Sequence, residues 1–180
     1  MVLLFELIMA LTKEIIKERL TEKFGEQLTE WAEPYGMLTF TTPAEMNLKV
    51  MQFLYDDETL RFRFLTDLTG AHFPDRKGEE LSVIYHLHSL ENNIRLRMKV
   101  YTPIEKPDVF TATQLFAGAN WMERETYDFF GVNFVGHPNL IRILNVDEMD
   151  YFPMRKEYPM EDPTRIDKDD EMFGRGGTVV

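Results

Sequence analysis

The sequence contains no cysteine. That excludes disulfides, a thiol nucleophile, thiolate-bound zinc and iron–sulfur clusters held by cysteine. No apolar run reaches the roughly 20 residues that span a bilayer. The most apolar stretch, Met1–Leu11, has Glu6 as its only charge and lacks the basic start and cleavage site of a secretory signal. It reads as a buried strand, an early helix, or a start placed upstream of Met9, the last two preferred, and the setting expected is cytoplasmic. No glycine-rich loop follows a strand and opens a helix, so neither a dinucleotide fold nor a phosphate-binding loop is supported. Cations are scarce: 20 Lys and Arg face 31 Asp and Glu, a net charge of −11. A field of that sign repels phosphate backbones and argues against a nucleic-acid partner.

What is present suits one packed domain: 180 residues, 44% apolar and 13% aromatic. Residues 12–28 show helical spacing, with Leu11, Ile15, Leu20 and Phe24 near one face and Gly25 as a stop. Met37–Thr41 reads as a strand. Thr42-Pro43-Ala44-Glu45 reads as a helix start with Thr42 as cap and Glu45 closing a capping box. Leu48, Met51 and Tyr55 continue that helix's apolar face. Alternation marks strands at Leu60–Phe64, Leu81–His88 and Ile94–Val100, the last two joined by a hairpin-length loop. Thr69–Glu80, with Gly70, Pro74 and Gly78, reads as a loop. After a break at Pro103–Pro107, a helical turn is expected at Thr113–Phe116, a helix from Ala119 to Phe130 stopped by Gly131, and a short strand at Val132–Val135. Residues 145–180 are acidic, rich in proline and glycine, and sparse in apolar residues. The expected fold is α+β: a two-layer domain, 1–144, with helices on a largely antiparallel sheet, plus an extended partner-binding tail, 145–180.

Chemistry-bearing residues concentrate in Asn120–Gly131. Arg124 and Asp128 stand four apart and can pair on a helix. Trp121, Glu125 and Asp128 share one side; Met122, Thr126, Phe129 and Phe130 make an apolar side. An acid–base pair is one reading of such carboxylates. No nucleophile, oxyanion donor or metal accompanies them, which favours a structural or interfacial ion-pair cluster. His86 and His88 share a strand face and could begin a metal site, but no third ligand is evident. His137, between Gly136 and Pro138, reads as a hydrogen-bonding anchor of a turn, and His72 receives no role.

The segment Glu123–Leu144 resembles the signature of the 30-kDa (C) subunit family of proton-pumping NADH:quinone oxidoreductase, respiratory complex I. Its elements are Glu123-Arg124-Glu125 followed by Asp128 and Gly131, the turn Gly136-His137-Pro138, and Arg142 before an aliphatic pair. Tyr85–Leu90, the basic strand Arg95–Val100, Asn120-Trp121 and Pro153–Pro159 extend the likeness over residues 35–160. His72 stands where an acidic residue is expected. The resemblance implies a non-catalytic peripheral-arm subunit that supports the quinone-reducing module, packed on the 49-kDa (D) subunit. FMN, iron–sulfur clusters, NADH and quinone would be handled elsewhere in the complex, with no cofactor or metal on this chain. Electron transfer from NADH to quinone, coupled to proton translocation, would belong to the assembly, and the isolated chain would be inactive. The setting would be the cytoplasmic face of the bacterial inner membrane, contacted only through the complex. On this reading Glu123, Arg124, Glu125 and Asp128 form ion pairs, His137 and Arg142 anchor the 131–144 segment, and Arg155 and Lys156 bind acidic groups on the 49-kDa subunit. The alternatives are the equivalent subunit of a membrane-bound hydrogenase or related dehydrogenase, and a free-standing metal-dependent enzyme.

Overall fold

Thr12 adopts an extended conformation and its hydroxyl accepts from the Ile15 amide at 3.4 Å, so the first helix, α1 (Lys13–Phe24), begins at the expected cap. Gly25, at φ 59°, ends it. Ile16 and Leu20 are fully buried, each burial stabilising by about 1.5–3 kcal/mol. The computed structural model describes residues 11–158; the readings made for 1–10 and for 159–180 lie outside the described residues.

Two short strands follow, β1 (Thr29–Ala32) and β2 (Leu38–Thr42), then α2 (Asn47–Asp56). β1 was not expected. Thr42 does not cap α2. It is the last residue of β2, paired with Val100, and a single 3₁₀ turn, Ala44–Met46, separates it from the helix. Sheet pairing holds Thr42 extended and buries its hydroxyl without a partner.

Three nine-residue strands form the centre: β3 (Phe64–His72), β4 (Leu81–Ser89) and β5 (Ile94–Thr102). The expected strand at 60–64 is displaced. Arg61, at φ 47°, and the bond from the Phe62 amide to Leu54 O (2.9 Å) fold this stretch back onto α2. The strand starts at Phe64 and runs through residues 69–72, which were assigned to a loop. Gly70 is a packing glycine rather than a turn: the Phe130 ring lies where its Cβ would be.

The sheet order is β1-β2-β5-β4-β3, antiparallel except for the parallel pair β2–β5. Phe40, Leu68, Tyr85 and Met98 face one side, and by register Asp67, His86 and Arg97 face the other. The helices cover the first side. Asn47 of α2 donates to the Tyr85 hydroxyl (3.4 Å), Phe24 of α1 stacks edge-on to Phe53 of α2, and Phe130 of the third helix lies on Gly70. This is the two-layer α+β arrangement. A separate parallel pair, β6 (Asp108–Phe110) and β7 (Asn133–Val135), brackets the helix α3 (Ala119–Phe130); β6 was not foreseen. Residues 145–158 lie against the domain. The Met154 amide donates to Phe129 O (3.1 Å), and the Lys156 amide donates to His72 Nδ1 (2.9 Å).

Candidate functional site

α3 is the expected helix with the expected ends. Gly131, in the left-handed region at φ 76°, donates its amide to Tyr127 O at 2.8 Å. A Cβ there would fall 2.6 Å from Arg155 Nη2 and against the Phe152 ring. The buried residues of α3 are Ala119, Glu123, Thr126 and Asp128. The helix therefore does not divide into the apolar and charged sides read from its spacing: Met122 and Phe129 are half-buried, and two carboxylates are fully enclosed.

Asp128 organises the chain beyond the helix. Its Oδ2 accepts the backbone amides of Ile143 (3.1 Å), Leu144 (2.7 Å) and Asn145 (2.9 Å). Its Oδ1 accepts from Arg142 Nη1 (2.7 Å) and Asn145 Nδ2 (3.1 Å). Burial pushes this carboxyl's pKa up, but the Asn145 and Leu144 amides, the Arg142 guanidinium and the Ile143 amide outweigh it and hold it well below the usual range. Arg142 also donates to Asp128 O (2.9 Å), Met149 O (2.8 Å) and Tyr151 O (2.9 Å). Arg124 does not pair with Asp128. It donates to Ile141 O (3.2 Å) and Arg142 O (3.1 Å), with its guanidinium 5.2 Å from the Trp121 ring centre.

Glu123 lies at the other end of this arrangement and, among the described residues, has no cationic side chain bonded to it. It accepts from the Thr111 hydroxyl (2.5 Å) and the Ala112 amide (2.6 Å). Burial pushes its pKa up to about 7, those two bonds pulling only partly back. His137 Nε2 stands 4.0 Å from Glu123 Oε2. The Asn139 amide donates to His137 Nδ1 (3.0 Å), so the ring proton sits on Nε2 and is donated to Asn120 O (3.1 Å). His137 thus ties the turn at Gly136 (φ 86°) and Pro138 to the first turn of α3.

Of the remaining predicted residues, Glu125 is exposed, with no ion-pair partner among the described residues. Arg155 donates Nε to Phe130 O (2.8 Å) and stacks 4.6 Å from the Phe152 ring centre, so its guanidinium is engaged within the chain. Lys156 is exposed. The structure thus gathers Glu123, Arg124, Asp128, Gly131, His137 and Arg142 around α3 and leaves Glu125 and Lys156 at the surface. Among the described residues, Asp128 is the one member of the four-residue charge cluster that pairs with an Arg or Lys side chain, that of Arg142.

Sequence reading missed His72, buried and accepting from Lys156, and Thr111 and Ala112, which hold Glu123. None of the three carried a signal. A surface groove of about 490 Å³ beside β6, lined by Ala44, Pro103, Val109, Phe110 and Val135 among others, reaches neither buried carboxylate. Among the described residues no three His, Asp or Glu side chains are grouped to hold a metal. His86 accepts from Arg97 Nε at 2.9 Å instead.

A helix whose charges clamp the following chain thus stands on a two-layer α+β domain. The chain belongs to the respiratory-chain NADH dehydrogenase 30-kDa subunit family, whose pattern matches residues 40–164. It is 41% identical over 151 residues to the NADH-quinone oxidoreductase C subunit of Citrifermentans bemidjiense, covering 82% of this chain and 89% of that one. It is 44% identical over 125 residues to the same subunit of a Nocardioides species, covering 69% of this chain; the chain spans 50% of that relative's length. Among solved structures, the trypsin-resistant fragment (1–134) of Nqo5 matches with a TM-score of 0.60 and 34% identity, over 71% of this chain and 98% of the fragment. The membrane-bound sulfane sulfur reductase, an archaeal respiratory membrane complex, shares the fold, with a TM-score of 0.68 and 24% identity over 82% of this chain and 85% of its own.

Proposed function

We propose that this chain is a non-catalytic peripheral-arm subunit of NADH:quinone oxidoreductase that supports assembly of the quinone-reducing module. Electrons from NADH pass through flavin and iron–sulfur clusters of other subunits to quinone, and proton translocation belongs to the whole assembly. The family match over residues 40–164 supports this reading. The site agrees with it: Asp128, Arg124 and Arg142 direct their hydrogen bonds to backbone groups of residues 141–151, which holds a surface in shape. The 49-kDa (D) subunit is the proposed partner, with Lys156 available to its acidic groups. The proposed location is the cytoplasmic face of the bacterial inner membrane. Among the described residues no helix is long and apolar enough to cross a membrane.

The fold shared with the sulfane sulfur reductase supports a second reading, the equivalent subunit of a related membrane-bound respiratory complex. The test is affinity purification of the tagged chain from native membranes in mild detergent, with mass spectrometry and an NADH:quinone assay. Recovery of the 49-kDa subunit with flavin- and cluster-bearing subunits and NADH:quinone activity is expected. Recovery of hydrogenase- or sulfur-reductase-type subunits would transfer the chain to the relative, and a chain recovered alone would overturn both readings.

A further inference from the structure

The side of the sheet away from the helices carries an unusual concentration of positive charge. Arg95, Arg97 and Lys99 alternate along β5 with the buried Leu96, Met98 and Val100, so all three stand on this outer side. None has a carboxylate within 4 Å among the described residues. The chain as a whole has a charge of −11. Three adjacent cations without an ion-pair partner among the described residues are therefore opposite in sign to their own protein.

The neighbouring strand adds unsatisfied polar groups. Register places His88 opposite Arg95, His86 opposite Arg97 and Ile84 opposite Lys99. His88 is 8% exposed and its Nε2 has no partner among the described residues. His86 uses one nitrogen to accept from Arg97, and its Nδ1 lies 3.6 Å from Asp67 of β3 without a hydrogen bond. A buried polar nitrogen left without a partner is unfavourable.

Carboxylates on this side are few. Asp67 faces His86. Glu30, whose pKa is lowered first by its bond to Arg76 (2.9 Å), then by the Thr41 hydroxyl (2.9 Å) and least by Lys99, shares Arg76 with Glu79 (2.8 Å). The loop between β3 and β4 closes only one end of this side, where Arg76 stacks 3.9 Å from the Tyr101 ring centre. No helix among the described residues packs on the remainder; Thr69 and Arg95 are exposed, and Arg97 and Lys99 are half-buried.

We infer that the outer side of β3–β4–β5 is a docking surface for a carboxylate-rich protein segment of another subunit, seated on Arg95, Arg97 and Lys99. Complementary charge steers and registers such contacts, and mutual neutralisation removes the repulsion among three neighbouring cations. The inference rests on the subunit reading above and names one surface and the chemistry of its partner.

Two experiments on the full chain test it. In the first, Arg95→Glu, Arg97→Glu and Lys99→Glu are combined. A control of equal charge change combines Lys17→Glu, Lys23→Glu and Lys49→Glu, all exposed and carried by α1 and α2 in the helix layer. Both are checked for an unchanged melting temperature and purified from native membranes beside the wild type. Expected is a fall of about tenfold or more in co-purifying subunits for the β5 variant alone, narrowing as salt is raised and screens the charges. Equal recovery from all three would overturn the docking surface and leave the subunit reading intact. Wild type that recovers no subunits would overturn the subunit reading itself.

The second experiment needs no β5 variant to fold. Because the chain lacks cysteine, Thr69→Cys on the same side gives a unique thiol for a photoactivated cross-linker. A cross-link to an Asp- and Glu-rich segment of an identified subunit is expected. Cross-links confined to lipid, to residues 1–10 or 159–180 of the same chain, or to an apolar segment would overturn the inference.

Discussion

Glu123 and Asp128 are carried by one helix and both are fully buried, yet their protons are held in opposite ways. Asp128 accepts three backbone amides, a guanidinium and a side-chain amide; Glu123 accepts one hydroxyl and one amide. Burial disfavours the charge at both. The number of donors decides the outcome, and only Asp128 has enough to remain a stable anion. One end of α3 is therefore a fixed clamp, and the other is titratable near neutral pH.

Removing the clamp is the largest perturbation. Asp128→Ala leaves Arg142, whose side chain is 9% exposed, without its counter-charge, and three amides without their acceptor. Breaking a buried pair this way costs about 3–5 kcal/mol, a fall in Tm on the order of 10 °C. Thermal unfolding at pH 7 measures it, and an unchanged Tm would mean that the 141–151 segment holds itself.

Glu123→Gln tests the titratable end. Glu123 binds its proton more tightly folded than unfolded, so its contribution to stability is fully present below about pH 4.5. It is lost as pH rises through about 7. The shift corresponds to about 3 kcal/mol. Gln keeps an acceptor for Ala112 and a donor for Thr111 but does not titrate, so its urea-unfolding free energy should gain on the wild type between pH 5 and 7. Parallel pH profiles would show that Glu123 is not the titrating group.

Glu125→Gln is the smallest change. Its exposed side chain should leave stability within about 0.5 kcal/mol. A larger loss would reveal an interaction within the chain and reduce the contrast between the surface of α3 and its buried carboxylates.

Strong periodicity and firm stops were legible in the sequence. α1 is capped by Thr12 and Gly25, α3 runs between the residues expected, and β4–β5 pair as the expected hairpin in unbroken register. Four features were not legible. β1 is mostly exposed and does not alternate, and β6 has only three residues. Leu60-Arg61-Phe62 alternates like a strand, but Arg61 in the left-handed region turns it onto α2. Gly70 resembled a turn because the ring that needs its missing side chain, Phe130, is distant in sequence. At the site, the residue types of α3 pointed to paired charges, but helical spacing suggested Arg124 as the partner of Asp128. The partner is Arg142, brought there by the turn at Gly136–Pro138. Glu123's donors, Thr111 and Ala112, come from a loop with no pattern of its own.

The parallel pairing of β2 with β5 has a consequence for how the chain is made. The β4–β5 hairpin can close locally in about 1–10 μs. β2 can pair locally only with β1; its other edge has no strand to join until Leu96 and Met98 have been synthesised. At about 5–20 residues per second, the ribosome releases β1, β2 and α2 some seconds before their place in the sheet exists. A nascent chain that pauses before β5 presents Phe40 and the α2 residues Val50, Met51 and Leu54 without the layer that will cover them. Production of this protein is therefore expected to depend on chaperone supply during that interval more than on the stability of the finished fold.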